Sequence, residues 1–478
     1  MIRRMDIKAK PFSVSSGNPF DGDLLERRAD IENLTLLLSN MGTPMVIAVN
    51  GRWGTGKSTF VDMWSAYLRQ HHYPVLNFNA WSTDFSEDPL VAFLGEMNAG
   101  LQQHIGNQKD QGANWTRCKN IGGRIAQHTL PVAVRIFSSG VLDGKSLADG
   151  VAKTEITKFL GGIAEDAVAE YEKTRSDIVN FKELLSKVLE KPTKDKSLVI
   201  FVDELDRCRP KYAIELLERI KHLFDLQGVI FVLSMDKEQL CHSIGAVYGN
   251  IDAENYLRRF IDLEFTLPTP SPDDYIRKLT TSFGLVEYFA WAGRDYDPAE
   301  ALDELRGTFA LLSRSYNLSL RQIEQLLSRV SLAVLATPDR QFHCSGLIVL
   351  LIILREVEPE LYSALRNNGA RLLEAIELVE NLSSDVKDEK LSWYKGLIEG
   401  YLRSCYSSKE SINNELEKYE RALQYDRTLS DQQREYIGIV YKVIDFHSHS
   451  SKRISLERLI RQVDLTQQFT FTQSSGGG

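Results

Sequence analysis

Eight consecutive residues, 51–58, have the types and the spacing of a loop that binds phosphate groups. They read GRWGTGKS, so four residues separate the first glycine from the final Gly-Lys-Ser triplet. The glycines let several main-chain N–H groups point inward as an anion nest, and a helix starting near the lysine adds its positive dipole end. Lys57 is expected to neutralise the β- and γ-phosphates, and the Ser58 hydroxyl to reach Mg²⁺. The residues predicted to contact a bound nucleoside triphosphate are Gly51, Trp53, Gly54, Thr55, Gly56, Lys57, Ser58 and Thr59.

The same motif also arises by chance in turns. With glycine at about 7% of residues, its four fixed positions occur by accident in roughly a few per cent of chains of this length. The surrounding sequence argues against chance, because MVIAVN at 45–50 predicts a strand before the loop and 59–70 has a helical pattern after it. A strand and a helix in these places are the context that the motif requires.

Two adjacent acids follow the apolar run at 197–202. A rigid strand can hold Asp203 near a metal, so it is the predicted Mg²⁺ partner, through water. Glu204 is predicted to polarise an attacking water molecule. A carboxylate that merely ends a strand in solvent is the alternative for Glu204. The phosphate loop favours the catalytic interpretation, because the two motifs together are far more specific than either alone.

A further strand, at 228–236, carries two polar residues at its end. In this architecture it lies between the two motif strands, which would bring Ser234 or Asp236 beside the γ-phosphate as a sensor. The alternative is that these residues simply cap the end of the strand. The sequence does not separate the two interpretations.

Five strand-like runs alternate with helical patterns, which is typical of an α/β domain with a parallel sheet. The third and fourth are almost continuously apolar, as expected of strands buried on both faces. A helical pattern at 21–38, with Asp21 or Asp23 as its N-cap, precedes them. Residues 1–84 and 191–270 are predicted to form the core of the domain. The five runs are 45–50, 74–80, 197–205, 228–236 and 260–268.

The rest of the chain has helical patterns. The gap between the second and third runs is too long for one crossover, so 85–190 is predicted to be a helical insertion. Residues 271–340 are predicted to form a helical lid or sensor region, 341–472 a helical C-terminal domain and 473–478 a flexible tail. Capping-box spacing supports helix starts at Ser319–Gln322, Ser407–Glu410 and Ser430–Gln433.

Composition narrows the class of protein. The 478 residues are 43% hydrophobic with a net charge of −8, which argues against a protein that coats nucleic acid through bulk charge. The five cysteines are scattered without a pair motif, which favours a reducing, cytoplasmic setting. Apolar runs at 130–142 and 347–354 are too short to span a bilayer, and no secretory leader is evident.

Five motifs in the same order resemble the KAP P-loop NTPases, over roughly residues 18–335. Besides the phosphate loop with its Trp53, they are FNAW at 78–81, VDELDRCRP at 202–210, FVLSMD at 231–236 and YLRRFIDLEFTLP at 256–268. The resemblance implies the additional-strand, catalytic-glutamate division of P-loop folds, with strand order 5-1-4-3-2. Many members carry transmembrane helices in the insertion, which we do not expect here. Members usually have two aspartates where this chain has Asp203 and Glu204, a change that keeps the carboxylate.

The resemblance also implies roles for arginines. The segment 317–330 would return toward the nucleotide, with Arg321 as the sensor that links nucleotide state to the C-terminal helices. A surface arginine in a salt bridge is an equally good interpretation. Arginines that act across subunits are plausible in such ATPases, and the sequence does not rank them. The candidates are Arg207, Arg209, Arg258 and Arg259.

The function expected from these features is that of an ATPase that uses ATP and Mg²⁺ as a nucleotide-driven switch or motor. The resemblance implies bacterial defence against phages or plasmids, with partner proteins of the same operon and a homo- or hetero-oligomeric assembly. The first alternative is a nucleotide-gated DNA clamp or translocase, and the second is a kinase with a small acceptor. DNA would need a basic face, for which the candidates are Arg117, Lys119, Arg124, Lys452, Arg453, Arg458 and Arg461.

Overall fold

Five strands form one fully parallel sheet in the order β2-β3-β4-β1-β5. This confirms the predicted order 5-1-4-3-2, counted from the other edge. β3 and β4 are buried along their whole apolar length, as continuous runs in a parallel sheet require. The last strand, Leu263–Thr266, covers only part of the predicted run at 260–268. The strands are β1 (Met45–Asn50), β2 (Val75–Asn79), β3 (Leu198–Asp203), β4 (Val229–Met235) and β5 (Leu263–Thr266).

The chain divides into two compact units, an α/β unit of residues 14–21 and 26–268 and a helical unit of residues 22–25 and 269 onward. The computed structural model describes residues 14–15, 17–105, 109–127, 156–190, 193–194, 196–292, 297–337, 344–367, 369–382, 390–406, 409–449 and 456–469.

The helices of the α/β unit pack on the sheet and on one another. Within the described ranges, they are α1 (Arg28–Asn40), α2 (Lys57–Gln70), α3 (Pro89–Ile105), α4 (Lys109–Gln127), α5 (Ile156–Leu189), α6 (Pro210–Leu223), α7 (Lys237–Tyr248) and α8 (Ala253–Leu257). The prediction that α1 starts at Asp21 or Asp23 is wrong. Glu26 has a φ of 56°, which a right-handed helix cannot include, so the helix begins only at Arg28.

Most of the described part of the insertion is helical, and it shares its core with the sheet. Phe93 of α3 lies 5.2 Å, centroid to centroid, from Phe78 of β2 and 4.8 Å from Phe224. Phe181 of α5 packs edge-on against Phe224 as well. These aromatic contacts anchor the first and last helices of the insertion to the sheet. The apolar run at 130–142 lies outside the described residues, and the division of the chain at 85–190 stays a prediction.

The helical unit has its own large apolar core. In the described part of the chain, its helices are α9 (Pro272–Ser282), α10 (Leu285–Ala292), α11 (Pro298–Ser315), α12 (Leu320–Leu335), α13 (Ser345–Val357), α14 (Pro359–Arg366), α15 (Leu372–Asn381), α16 (Leu391–Tyr406), α17 (Lys409–Tyr425), α18 (Asp431–His449) and α19 (Leu456–Thr466). Capping boxes at Ser319–Gln322 and Ser430–Gln433 confirm two predicted helix starts. Ser407 lies outside the described residues.

The apolar run at 347–354 is a core helix, as predicted. It forms most of α13, and its side chains are almost completely buried against the neighbouring helices. Across the described ranges, no helix combines the length and the apolar composition needed to cross a bilayer.

A close approach of α16 and α18 depends on a glycine, which allows a stability prediction. A Cβ atom at Gly400 would lie 2.6 Å from Cβ of Val443, whereas one at Gly438 would meet no atom within 4 Å. Gly400→Ala is therefore expected to destabilise the helical unit by about 1–3 kcal/mol through overpacking. The control Gly438→Ala should stabilise it by up to about 1 kcal/mol through helix propensity. Chemical unfolding of both variants tests this, and equal effects would contradict the packing argument.

Candidate functional site

Residues 51–56 turn the chain sharply between β1 and α2. Gly54 and Gly56 have φ values of 81° and 86°, a left-handed conformation that glycine adopts without strain. A Cβ atom at Gly51 would lie 2.8 Å from Oγ1 of Thr55, so that position has no room for a side chain. Thr55 closes the turn, because its N–H and its hydroxyl both donate to the carbonyl of Arg52, at 3.3 and 2.8 Å.

Lys57 folds back into this loop from the first residue of α2. Its Nζ donates to the carbonyl oxygens of Gly51 and Arg52, at 2.7 and 3.3 Å, and the residue is only 9% exposed. Burial lowers the pKa of Lys57, and the negative charges of Asp206, Asp236 and Asp203, in that order, act in the opposite direction. The ammonium group therefore lies at the centre of the loop and within electrostatic reach of acids from the ends of β3 and β4.

The side chains of Asp203 and Glu204, at the end of β3, have different hydrogen-bond partners. The Glu204 backbone is left-handed, with φ 60°, and its N–H donates to Oδ1 of Asp203 at 2.9 Å. Oε2 of Glu204 accepts a hydrogen bond from Nδ2 of Asn79 at 3.0 Å, and Oε1 lies 2.5 Å from Nη1 of Arg207. The Arg207 guanidinium also lies over the ring of Trp81. A paired carboxylate thus stands at the strand end, held from β2 on one side and from the turn after β3 on the other.

A further acid, Asp62 of α2, lies within electrostatic range of Asp203. Desolvation and the negative charge of Asp203 raise the pKa of Asp62 to about 6. Sequence reasoning missed this residue, although its position four residues after Ser58 places both on one face of the helix. Two carboxylates that repel one another are the situation that a divalent cation relieves.

The end of β4 contacts the loop through Asp236. Its Oδ2 accepts the Trp53 N–H at 3.2 Å, and its Oδ1 accepts the Gln239 N–H at 3.3 Å as the N-cap of α7. Asp236 therefore caps α7 and also holds the phosphate loop. Ser234 is fully buried within the central strand. A sensor role for either residue stays a prediction.

Two more contacts fix the loop. The indole N–H of Trp53 donates to Oδ2 of Asp206, and the Trp53 side chain is otherwise half exposed. The buried guanidinium of Arg27 donates to the carbonyls of Pro268, at 2.6 Å, and Thr55, at 3.4 Å. Sequence reasoning noted Asp206 without a role and missed Arg27, because nothing in their spacing links either residue to the loop.

The other predicted arginines lie in different environments. Arg209 pairs with Asp84 at 2.9 Å, and Arg259 lies over the ring of Tyr256. Arg258 is exposed just after α8. Arg321 is exposed in the first turn of α12, in the helical unit. Their action on a nucleotide, in the same chain or across subunits, stays a prediction.

The oxygen ligands at the loop suit Mg²⁺. The Ser58 hydroxyl stands at the start of α2, and the carboxylates of Asp203 and Asp62 influence one another electrostatically. Among the described residues, no group of three or more His, Cys, Asp or Glu side chains could hold a metal by itself.

Comparison with known proteins finds similarity to a phage exclusion protein and to a protein family. The "Phage T7 exclusion protein" of Escherichia coli (strain K12) is 24% identical over 236 residues, which are 48% of this chain and 31% of that protein. The chain therefore spans about a third of the length of that relative.

Two archaeal structures align with the chain at low similarity. Cdc6p from Pyrobaculum aerophilum has 13% identity and a TM-score of 0.32 over 96% of this chain and 88% of its own. The Aeropyrum pernix ORC2 protein, in ADPNP-ADP complexes, has 13% identity and a TM-score of 0.29 over 93% and 94%. This similarity is too low to support any inference about the structure or function of this chain.

One protein-family model matches more than half of the chain. The model of the KAP family P-loop domain matches residues 27–335, which include every strand of the sheet and the phosphate loop. The matched segment begins at Arg27, the buried residue that holds the loop from its N-terminal side. Because the match covers well over half of the sequence, this chain belongs to the KAP family of P-loop NTPases.

Proposed function

We propose that the chain is an Mg²⁺-dependent ATPase of the KAP type that acts as a nucleotide-driven switch or motor. The observation that supports it best is the meeting of three groups at one edge of the sheet. Lys57 lies inside the phosphate loop, Asp203 is close enough to act on its charge, and Glu204 follows Asp203 directly. A cation for phosphate, an oxygen ligand for a metal and a carboxylate for water are the groups that phosphoryl transfer to water requires.

Separate residues would bind the phosphate groups and the metal ion. Lys57 would exchange the carbonyls of Gly51 and Arg52 for phosphate oxygens without a large movement, because its ammonium group already lies inside the loop. Ser58 and Asp203 would hold Mg²⁺, with Asp203 acting through water. When bound, Mg²⁺ neutralises the charge that develops on the transferred phosphoryl group.

Glu204 is the proposed base. Both of its carboxylate oxygens are engaged, one with Asn79 and one with Arg207. Each oxygen of an ionised carboxylate can accept more than one hydrogen bond, so Oε1 or Oε2 can also accept from a water molecule. The contacts with Asn79 and Arg207 would hold the carboxylate in place while it takes the proton.

Phosphate release tests the reaction. We expect purified protein to release phosphate from ATP with Mg²⁺ and with no added acceptor, and to stop when the metal is chelated. A kinase would instead need an acceptor and would leave no free phosphate without one. The acceptor requirement therefore distinguishes the two enzyme classes in a single assay.

The proposed role in defence against phages is based on the similarity to the phage T7 exclusion protein. The proposed partner proteins and oligomeric assembly are based on membership of the family. Bacteria that express this chain with its neighbouring genes should resist phage better than bacteria carrying the Lys57→Ala variant. The five free cysteines support a reducing, cytoplasmic location as part of the same proposal.

Three of the seven basic residues suggested for DNA contact are engaged within the protein. Arg124 pairs with Asp177 through two hydrogen bonds, at 2.7 and 3.0 Å, and Lys119 donates to Asn98 at 2.8 Å. Arg461 pairs with Glu457, whereas Lys452 and Arg453 lie outside the described residues. The two ion pairs, Arg124 with Asp177 and Arg461 with Glu457, reduce the positive charge that a phosphate backbone would meet.

DNA binding stays a prediction with a direct test. A filter-binding series against salt should show little retention of duplex DNA even at about 50 mM salt if the paired residues are structural. Tight retention that falls steeply as salt rises would favour the clamp or translocase instead.

A further inference from the structure

A cavity of about 790 Å³ lies within the helical unit, between α11, α16 and α18. Its size is in the range of sites that enclose small organic molecules. Most of its wall is apolar or aromatic, and Gly438 on α18 leaves it open, because a Cβ atom there would meet no other atom within 4 Å. The wall residues that matter here are Trp393, Leu397, Gly438, Val443 and Phe446.

One carboxyl group is built into the inner side of this cavity. Glu304 is 4% exposed, and its Oε1 accepts the Gly346 N–H at 2.6 Å while its Oε2 accepts the Tyr401 hydroxyl at 3.1 Å. A Cβ atom at position 346 would lie 3.0 Å from Oε1, so a glycine there is what leaves room for the carboxyl group. Burial raises the pKa of Glu304 to about 7. A cation bound beside Glu304 would favour the ionised form of its carboxyl group.

The lining of the cavity also has an excess of acidic residues. It contains five carboxylate residues, counting Glu304, against Arg434, Lys442 and one histidine, His447. Arg434 is already engaged, because it donates to the carbonyls of Leu423 and Asp426, at 2.6 and 2.9 Å. An anionic ligand would meet repulsion here, whereas a cation would be attracted from the mouth to the inner carboxyl group.

We propose that this cavity is a binding site for an organic cation that has an apolar, aromatic-sized body and a protonated amine directed at Glu304. The aromatic walls accommodate the body, and Trp393 and Phe446 add favourable faces for the positive charge. The site lies entirely within the helical unit, so the proposal does not depend on nucleotide hydrolysis. A neutral apolar ligand and an anionic ligand are the competing outcomes.

Three indole compounds of matched shape test the charge preference. Calorimetry with the full chain should show tryptamine binding at least about tenfold more tightly than neutral tryptophol. Indolepropionate, the anion, should bind more weakly still. Equal affinities for all three compounds, or no binding of tryptamine at millimolar concentration, would overturn the proposal.

Two variants test the location. Glu304→Gln should remove the preference for tryptamine over tryptophol. Gly438→Leu should fill the cavity and abolish binding of both compounds, and its side chain enters open space, so the fold should persist. Circular dichroism and ATP binding check the fold of each variant. Should tryptamine bind Gly438→Leu as it binds the parent, it binds elsewhere and the proposal is wrong.

Discussion

Lys57→Ala should lose ATP hydrolysis by a factor of about a thousand and bind ATP far more weakly. The ammonium group is the cation at the centre of the loop, and removing one such donor from a transition state typically costs about 10²–10³ in rate. The alanine also removes the Lys57 donor from the Gly51 carbonyl, whereas the Arg52 carbonyl keeps its hydrogen bonds from Thr55, so the loop loses part of its support. Phosphate release and equilibrium binding of a fluorescent ATP analogue measure the two effects separately.

Lys211→Ala is the matched control for that experiment. Its side chain is 77% exposed and lies 3.9 Å from Glu215, outside the loop. We expect it to keep the parent rate and affinity, because a weak exposed pair contributes little. Hydrolysis by Lys57→Ala at the rate of this control would refute the role of the phosphate loop.

Glu204→Gln should bind ATP like the parent and lose turnover by about a hundredfold or more. The amide keeps the shape of the side chain but cannot take a proton from water, and general-base catalysis typically contributes about 10²–10⁴ in rate. It also loses the ion pair with Arg207, while its amide oxygen can still accept from Asn79. Single-turnover hydrolysis beside an ATP-binding titration separates chemistry from affinity.

Glu238→Gln serves as the control for the second variant. Glu238 is an exposed acid in the first turn of α7, and losing its charge should leave both rate and affinity unchanged. If Glu204→Gln turned over as fast as this control, Glu204 would not be the base. Asp203 or another carboxylate near the loop would then have to be tested in the same way.

The sheet was predictable because its signals are local. Each strand is a short apolar run bounded by turn residues, and buried parallel strands need little else to be recognised. The strand order came from the family resemblance, because pairing depends on contacts between distant segments that no single run contains. The start of α1 was mispredicted because one residue, Glu26, takes a left-handed conformation that its neighbours do not signal.

The glycine pattern and the order of the motifs are properties of the sequence by itself. They determined the phosphate loop, the acids after β3 and the class of fold, because these depend on residue types at fixed spacing. Only the tertiary structure decided which groups meet. It brought Asp62 within electrostatic range of Asp203, paired Glu204 with Asn79 and Arg207, and placed Glu304 in the lining of a cavity. Asn79 and Glu204, for example, are 125 positions apart, and packing of whole helices and strands, rather than local spacing, brings such residues together.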